Sequence, residues 1–360
     1  MFSRISRQFS LLVGVFVVLL SLGPAGATLA IAQYVPATNL DGDSSIITLD
    51  SSYQDDAWLV YTYDIDPTGA VVNAAVRASN KVPALEEALL NQVKAMRFAP
   101  ATSGGKAVQS SANPVIYTWI LDKPREMGPE FADLYGRAWD HFANQEYAAA
   151  QAIADQLQQF AGRNALEEVK SRVLAASVAN RLGDAGAELR HLERIVRFQR
   201  LALDNNFKNV YVPADQFLKM LNRILSLQLE GNMLADAGFT LDYMQTLGRG
   251  EPVVQAAASR YVSAEQALQR MSDFAIEGEL IALYPEGRAS WKTALTESEF
   301  YIADVRGRVV TVYLTCNGGE RLLTWPSKEH WRVPAGWTGC QVDVSGNAGT
   351  RLALHQVVAR

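Results

Sequence analysis

The stretch YTYDIDPTGAVVNAAVRAS, residues 61–79, decides the fold of the first third of this chain. Leu59, Tyr61, Tyr63 and Ile65 alternate with Val60, Thr62 and Asp64, the period-two pattern of a strand. Asp66-Pro67-Thr68-Gly69 then supplies a turn, in which proline fixes φ at the second position and glycine takes the positive φ that follows. Ala70 to Ala78 alternates again and completes a hairpin.

Downstream, Pro83 opens a helix at a position where its missing N–H costs nothing. Leu85, Leu89, Val93 and Met96 step along one face of it. Glu86 and Glu87 lie at its start and Lys94 and Arg97 at its end, matching the helix dipole. Phe98 to Ala101 reads as a third strand, and Val115–Leu121 as the last, with Val115, Tyr117 and Trp119 on one face. Between them, Ser103-Gly104-Gly105-Lys106 matches an S-x-x-K pattern, but two glycines are a poor helix start. No helical pattern follows Lys106 to offer free N–H groups to a phosphate. A plain turn is the better reading, and the predicted order is β-β-α-β-β.

Upstream, Arg4 and Arg7 precede the apolar run Leu11–Leu22, and two A-x-A sites follow at Ala25–Ala27 and Ala30–Ala32. This is the layout of a secretory signal peptide over residues 1–32, with an uncleaved membrane anchor as the alternative. Residues 33–55 are polar and read as a linker with one strand at Ile46–Leu49. Residues 56–123 then form the first domain. Residues 128–273 are rich in Ala, Leu and Gln and helical throughout, broken at Asn144-Gln145-Glu146-Tyr147, Leu182-Gly183-Asp184 and Glu230-Gly231-Asn232. Residues 274–360 alternate in short runs punctuated by Gly and Pro, the spacing of a sandwich or barrel. The predicted fold class is multidomain α+β: a small ββαββ domain, a helical middle domain and a C-terminal antiparallel β-sandwich or barrel.

The full chain of 360 residues carries a net charge of −5, and loss of residues 1–32 removes two arginines and no acid, giving −7. That balance argues against nucleic acid or anionic lipid as the main partner. The two cysteines, Cys316 and Cys340, form a disulfide if the chain is exported. None of the four histidines, His141, His191, His330 and His355, lies at i, i+4 from another, and no H-E-x-x-H, G-x-S-x-G, C-x-x-C or Walker pattern occurs. The chain therefore reads as a non-enzyme without cofactor or metal. Asp64 and Asp66 are a carboxylate pair without a third ligand, and Asp66 is explained by its turn. Trp331 and Trp337 flank Pro334-Ala335-Gly336 and offer an aromatic surface for glycans or partner peptides, with burial in a sandwich core as the alternative.

Residues Tyr61–Leu121 resemble the C-terminal domain of the TonB family. The resemblance is carried by YTYDIDPTGAVVNAAVRAS, PALEEALLNQVKAMRFAPA (83–101) and PVIYTWIL (114–121). Asp66, Gly69, Val71, Val76, Ser79, Leu85, Ala88, Arg97, Phe98, Pro100 and Ala101 fall where that family's D-x-x-G turn, helix and R-[FY]-x-P strand place them. The resemblance implies a periplasmic domain whose exposed strand edge pairs with a short peptide of an outer-membrane protein. Val115, Tyr117, Thr118 and Trp119 on the last strand are the partner-binding residues it implies. Two features differ from the family pattern: the Y-P-x-x-A stretch usual before the first strand is missing, and the domain precedes the others instead of ending the chain. The helical segment resembles tetratricopeptide-type repeats, best at Leu134-Tyr135-Gly136, Ala138, Phe142, Glu146-Tyr147 and Ala150. Such stacked pairs offer a surface to partner peptides. The functional expectation is an envelope adaptor, with a cell-wall or glycan-binding scaffold using Trp331 and Trp337 as the alternative.

Overall fold

A computed structural model of the chain describes residues 34–41, 55–111, 115–281, 289–317, 319–327 and 329–359. The signal-peptide pattern and the expected strand at Ile46–Leu49 lie outside them.

The first domain contains β1 (Tyr34–Val35), β2 (Thr38–Asn39), β3 (Ala57–Ile65), β4 (Val71–Ser79), α1 (Pro83–Ala95), β5 (Phe98–Ala99), β6 (Ala101–Ser103), β7 (Lys106–Val108), β8 (Ser110–Ser111) and β9 (Val115–Trp119). β3 is its central strand: β4 pairs along one side, while β8 and β9 share the other. Ala57, Leu59, Tyr61 and Tyr63 of β3 face α1, whose Leu85, Leu89 and Val93 complete the core as the spacing predicts. The Arg97 guanidinium donates to the carbonyls of Lys94, Ala95 and Met96, and so closes the helix end. Gly104 and Gly105, at φ +57° and +77°, form the turn of the β6–β7 hairpin. Part of the stretch expected to be a linker is paired: β1 adds to β6, and β2 adds to β5. Such pairings are non-local, and a polar composition does not announce them.

Gly69 ties the turn to the third strand. It sits at φ +86°, and a Cβ there would lie 1.9 Å from the Phe98 carbonyl oxygen. Phe98 N donates to Gly69 O at 2.9 Å. The glycine thus serves both the turn and the close approach of the Arg97-Phe98 segment. Asp66 spends its Oδ1 on Thr68 N (2.8 Å), Thr68 Oγ1 (2.6 Å) and Ala70 N (3.0 Å). These bonds hold its carboxyl below the usual range.

The middle domain holds α2 (Pro129–Ala143), α3 (Tyr147–Gln158), α4 (Ala165–Leu182), α5 (Ala185–Asp204), α6 (Ala214–Glu230), α7 (Leu234–Gly248) and α8 (Pro252–Leu268). Each packs on the next, and α2 also meets α4 as α6 meets α8. Asn164 and Glu167 form a reciprocal capping box at the start of α4, and Gly183 ends that helix in the left-handed region.

The last domain comprises β10 (Asp273–Glu279), β11 (Ala289–Ala294), β12 (Glu299–Arg306), β13 (Val309–Cys316), β14 (Gly319–Leu323), β15 (Trp331–Arg332), β16 (Gln341–Gly346) and β17 (Arg351–Val357). Two antiparallel sheets, in the orders β10-β17-β12-β15 and β11-β16-β13-β14, enclose Phe300, Val312, Leu314, Val342, Val344 and Leu354. The arrangement is a sandwich. Cys316 and Cys340 are disulfide-bonded across 24 positions of sequence.

Candidate strand-edge site

The partner-binding residues expected on the last strand lie on β9, which ends at Trp119 and is an edge. Backbone direction along it follows from its neighbours. Asn80 N donates to Trp58 O at 3.1 Å and Trp58 N donates to Asn80 Oδ1 at 3.3 Å, so the Trp58 peptide groups turn toward the β4 side. Directions alternate along a strand, so Ala57, Leu59 and Tyr61 turn theirs toward β9, where they oppose Trp119, Tyr117 and Val115. The N–H and C=O groups of Ile116 and Thr118 therefore point away from β3. No described strand pairs with that edge.

The opposite edge is less regular. The β3–β4 register shifts twice, and Asn73 on β4 takes φ +53°. Bulges of this kind twist a strand and blunt its edge. The β3–β9 ladder runs unbroken over the five pairs from Tyr61↔Val115 to Ala57↔Trp119, about 17 Å of strand.

The side chains divide between the faces. Val115, Tyr117 and Trp119 pack against the α1-side core, half-buried, so they shape the edge from within. Burial pushes the phenols of Tyr61 and Tyr117 up to about 12, which keeps both neutral. Thr118 stands opposite Trp58 on the other face.

That second face is closed by the helical domain, which the sequence did not disclose. Trp58, 2% exposed, belongs to the core of α4–α8, with the Arg163 guanidinium 4.9 Å from its ring centroid and Phe198 edge-on at 5.5 Å. Asp56 accepts from the Arg125 guanidinium, from Leu121 N (3.1 Å) and from Ala165 N at the start of α4 (3.0 Å). Both partners of that ion pair are buried, at 0% and 3% side-chain exposure. Asn80 Nδ2 donates to Asp56 O (2.8 Å) and Arg163 O (3.4 Å), and Gly162 N donates to Asn80 O. Just beyond β9, Asp122 accepts from Lys208 N, Asn209 N and Asn209 Nδ2 at 3.0–3.1 Å. The connection between α5 and α6 therefore walls the C-terminal end of the edge.

Trp331 and Trp337, expected to offer an aromatic surface in the last domain, each keep part of the indole exposed. Trp331 packs on Phe300 (5.6 Å between centroids) and Trp325 (6.2 Å), and Trp337 lies over Gly319. Both are half-buried against the sandwich core, as are Trp291 and Trp325. The histidines are engaged locally: His141 Nδ1 meets Glu146 Oε2 at 2.5 Å, and His330 and His355 sandwich the Tyr301 ring at 4.4 and 4.6 Å. Glu299 and Asp273 brace those two imidazoles.

Residues 58–119 match the family model of the Gram-negative bacterial TonB protein C-terminal. The match spans β3 through β9, which includes the whole edge and its supporting helix. No curated protein matches the chain.

Proposed function

We propose that this chain is a periplasmic, non-enzymatic adaptor that captures an envelope protein, in the context of outer-membrane transport, by adding an extended segment of that partner to β9. The observation that carries the reading is the outward-facing backbone of Ile116 and Thr118 on an unbroken ladder, inside the segment matched by the TonB C-terminal model. Main-chain hydrogen bonds supply affinity in such an arrangement, and alternate side chains supply selectivity. The signal-peptide pattern at residues 1–32 supports the compartment.

The geometry selects the test. Thr118 N points to the open edge, so Thr118→Pro removes an outward donor while the β3–β9 ladder keeps its bonds. Proline at Tyr117 would break that ladder instead. A photo-crosslinker at Thr118 in intact cells identifies the captured segment, and a synthetic peptide of it is then titrated against wild type and Thr118→Pro. Loss of peptide binding with unchanged thermal unfolding is expected. Equal binding by Thr118→Pro would overturn strand addition at β9.

A further inference from the structure

The outer face of α5 carries an excess of positive charge that the rest of the molecule leaves unbalanced. Arg190, Arg194 and Arg197 recur at i, i+4 and i+7, so they share one face of the helix. The stripe is about 10 Å long at 1.5 Å per residue. Arg172 of α4 lies beside it, donating from Nη1 to Gln158 Oε1 at 2.5 Å and to His191 Nδ1 at 3.3 Å. An Nδ1 that accepts leaves its proton on Nε2, so His191 presents a donor as well. Burial, then the charges of Arg172 and Arg190, lower His191 to about 4 and keep the imidazole neutral.

Counter-charge is scarce here. The buried carboxylate of Glu168 is shared by three guanidiniums: Arg163 at 2.7 Å, Arg172 at 3.0 Å and Arg194 at 3.1 Å. Arg190 and Arg197 are exposed and have no hydrogen-bond or ion-pair partner among the described residues. Glu193 lies within the field of Arg190, but crowding by the surrounding protein raises it to about 7 although its side chain stays open to solvent, so it offsets that charge weakly. Asp184 spends its Oδ1 on Ala187 N as the α5 cap. A surface on which N–H donors outnumber acceptors favours an anion.

We infer that this face binds an acidic peptide segment in which two carboxylates three residues apart meet Arg190 and Arg197, with Arg194, His191 and Arg172 lining the path between them. Three residues of polyproline-II chain span about 9 Å and return the side chain to the same face, which matches the stripe. The site lies on a different domain from β9, so either reading stands if the other fails.

The test uses the full chain and labelled nonapeptides, read by fluorescence anisotropy. One peptide carries Glu at positions i and i+3, one carries Glu at i and i+1, and one carries Gln at both. The i, i+3 peptide is expected to bind about tenfold or more tighter than the Gln peptide, and to weaken as salt screens the contacts. Arg190→Gln with Arg197→Gln is expected to abolish that preference with thermal unfolding unchanged, because both side chains are exposed and unpartnered. Equal affinity for the Glu and Gln peptides, or an unaltered preference in the double variant, would overturn the inference. Displacement by inorganic phosphate at the peptide's own concentration would also overturn it, since a point anion would then suffice.

Discussion

Replacing Asp56 by alanine tests whether the TonB-type domain is bolted to the helices or merely next to them. The carboxylate is fully buried and holds three donors: the Arg125 guanidinium, 3% exposed, and the backbone amides of Leu121 and Ala165. Removing it leaves a guanidinium buried without its counter-charge, a change that costs about 3–5 kcal/mol in comparable pairs. The two orphaned amides add to this, though not additively. Taking the lower bound of about 3 kcal/mol at about 1.4 kcal/mol per tenfold, the opening equilibrium at this seam shifts by about a hundredfold. Hydrogen exchange read by mass spectrometry checks it: peptides containing Leu121 and Ala165 should lose protection by about that factor, while the sandwich stays protected. Arg125→Met in the same chain should recover most of the loss, because a neutral side chain needs no counter-ion. Unchanged protection at Leu121 and Ala165, or no recovery in the double variant, would refute the argument.

Three further outcomes follow from other sites. Gly69→Ala should destabilise the first domain by about 2 kcal/mol or more in urea unfolding, since φ +86° disfavours a side chain and the Phe98 oxygen occupies its place. Arg163, Arg172 and Arg194 hold Glu168 well below the ordinary carboxylate range against the opposing effect of burial, so its contribution is present above about pH 4 and fades as acid approaches its lowered pKa. Glu168→Gln should therefore lower the melting temperature at pH 7 and narrow its gap to wild type as pH falls below 4. Cys316→Ser with Cys340→Ser should cost the sandwich about 3 kcal/mol, seen as a lower melting temperature that no longer responds to reductant.

How much of this was legible depends on the range of each interaction. The hairpin around Asp66 and Gly69, the apolar face of α1 and the break at Gly104-Gly105 are all set within a few residues, and periodicity and turn chemistry expose them. The disulfide followed from there being only two cysteines. Trp331 and Trp337 were ambiguous because an indole beside a Pro-Gly turn suits either a surface platform or a sheet-packing core, and only the position of the facing sheet separates the two.

The sequence by itself determined that three kinds of module follow one another, and that the first carries a TonB-type hairpin, helix and terminal strand. Those are matters of local backbone preference and of which residues alternate. Tertiary structure alone decided which backbone groups of β9 face outward, because that depends on the register against β3. It also decided that Trp58 and Asp56 serve the helical domain: alternation placed Trp58 on the far side of the sheet, but nothing near it in sequence names Arg163 and Phe198 as its covering residues. The charge face of α5 shows the same division. Its arginine spacing is visible in the sequence, but the commitment of Glu168 to three guanidiniums at once appears only when α4 and α5 are packed.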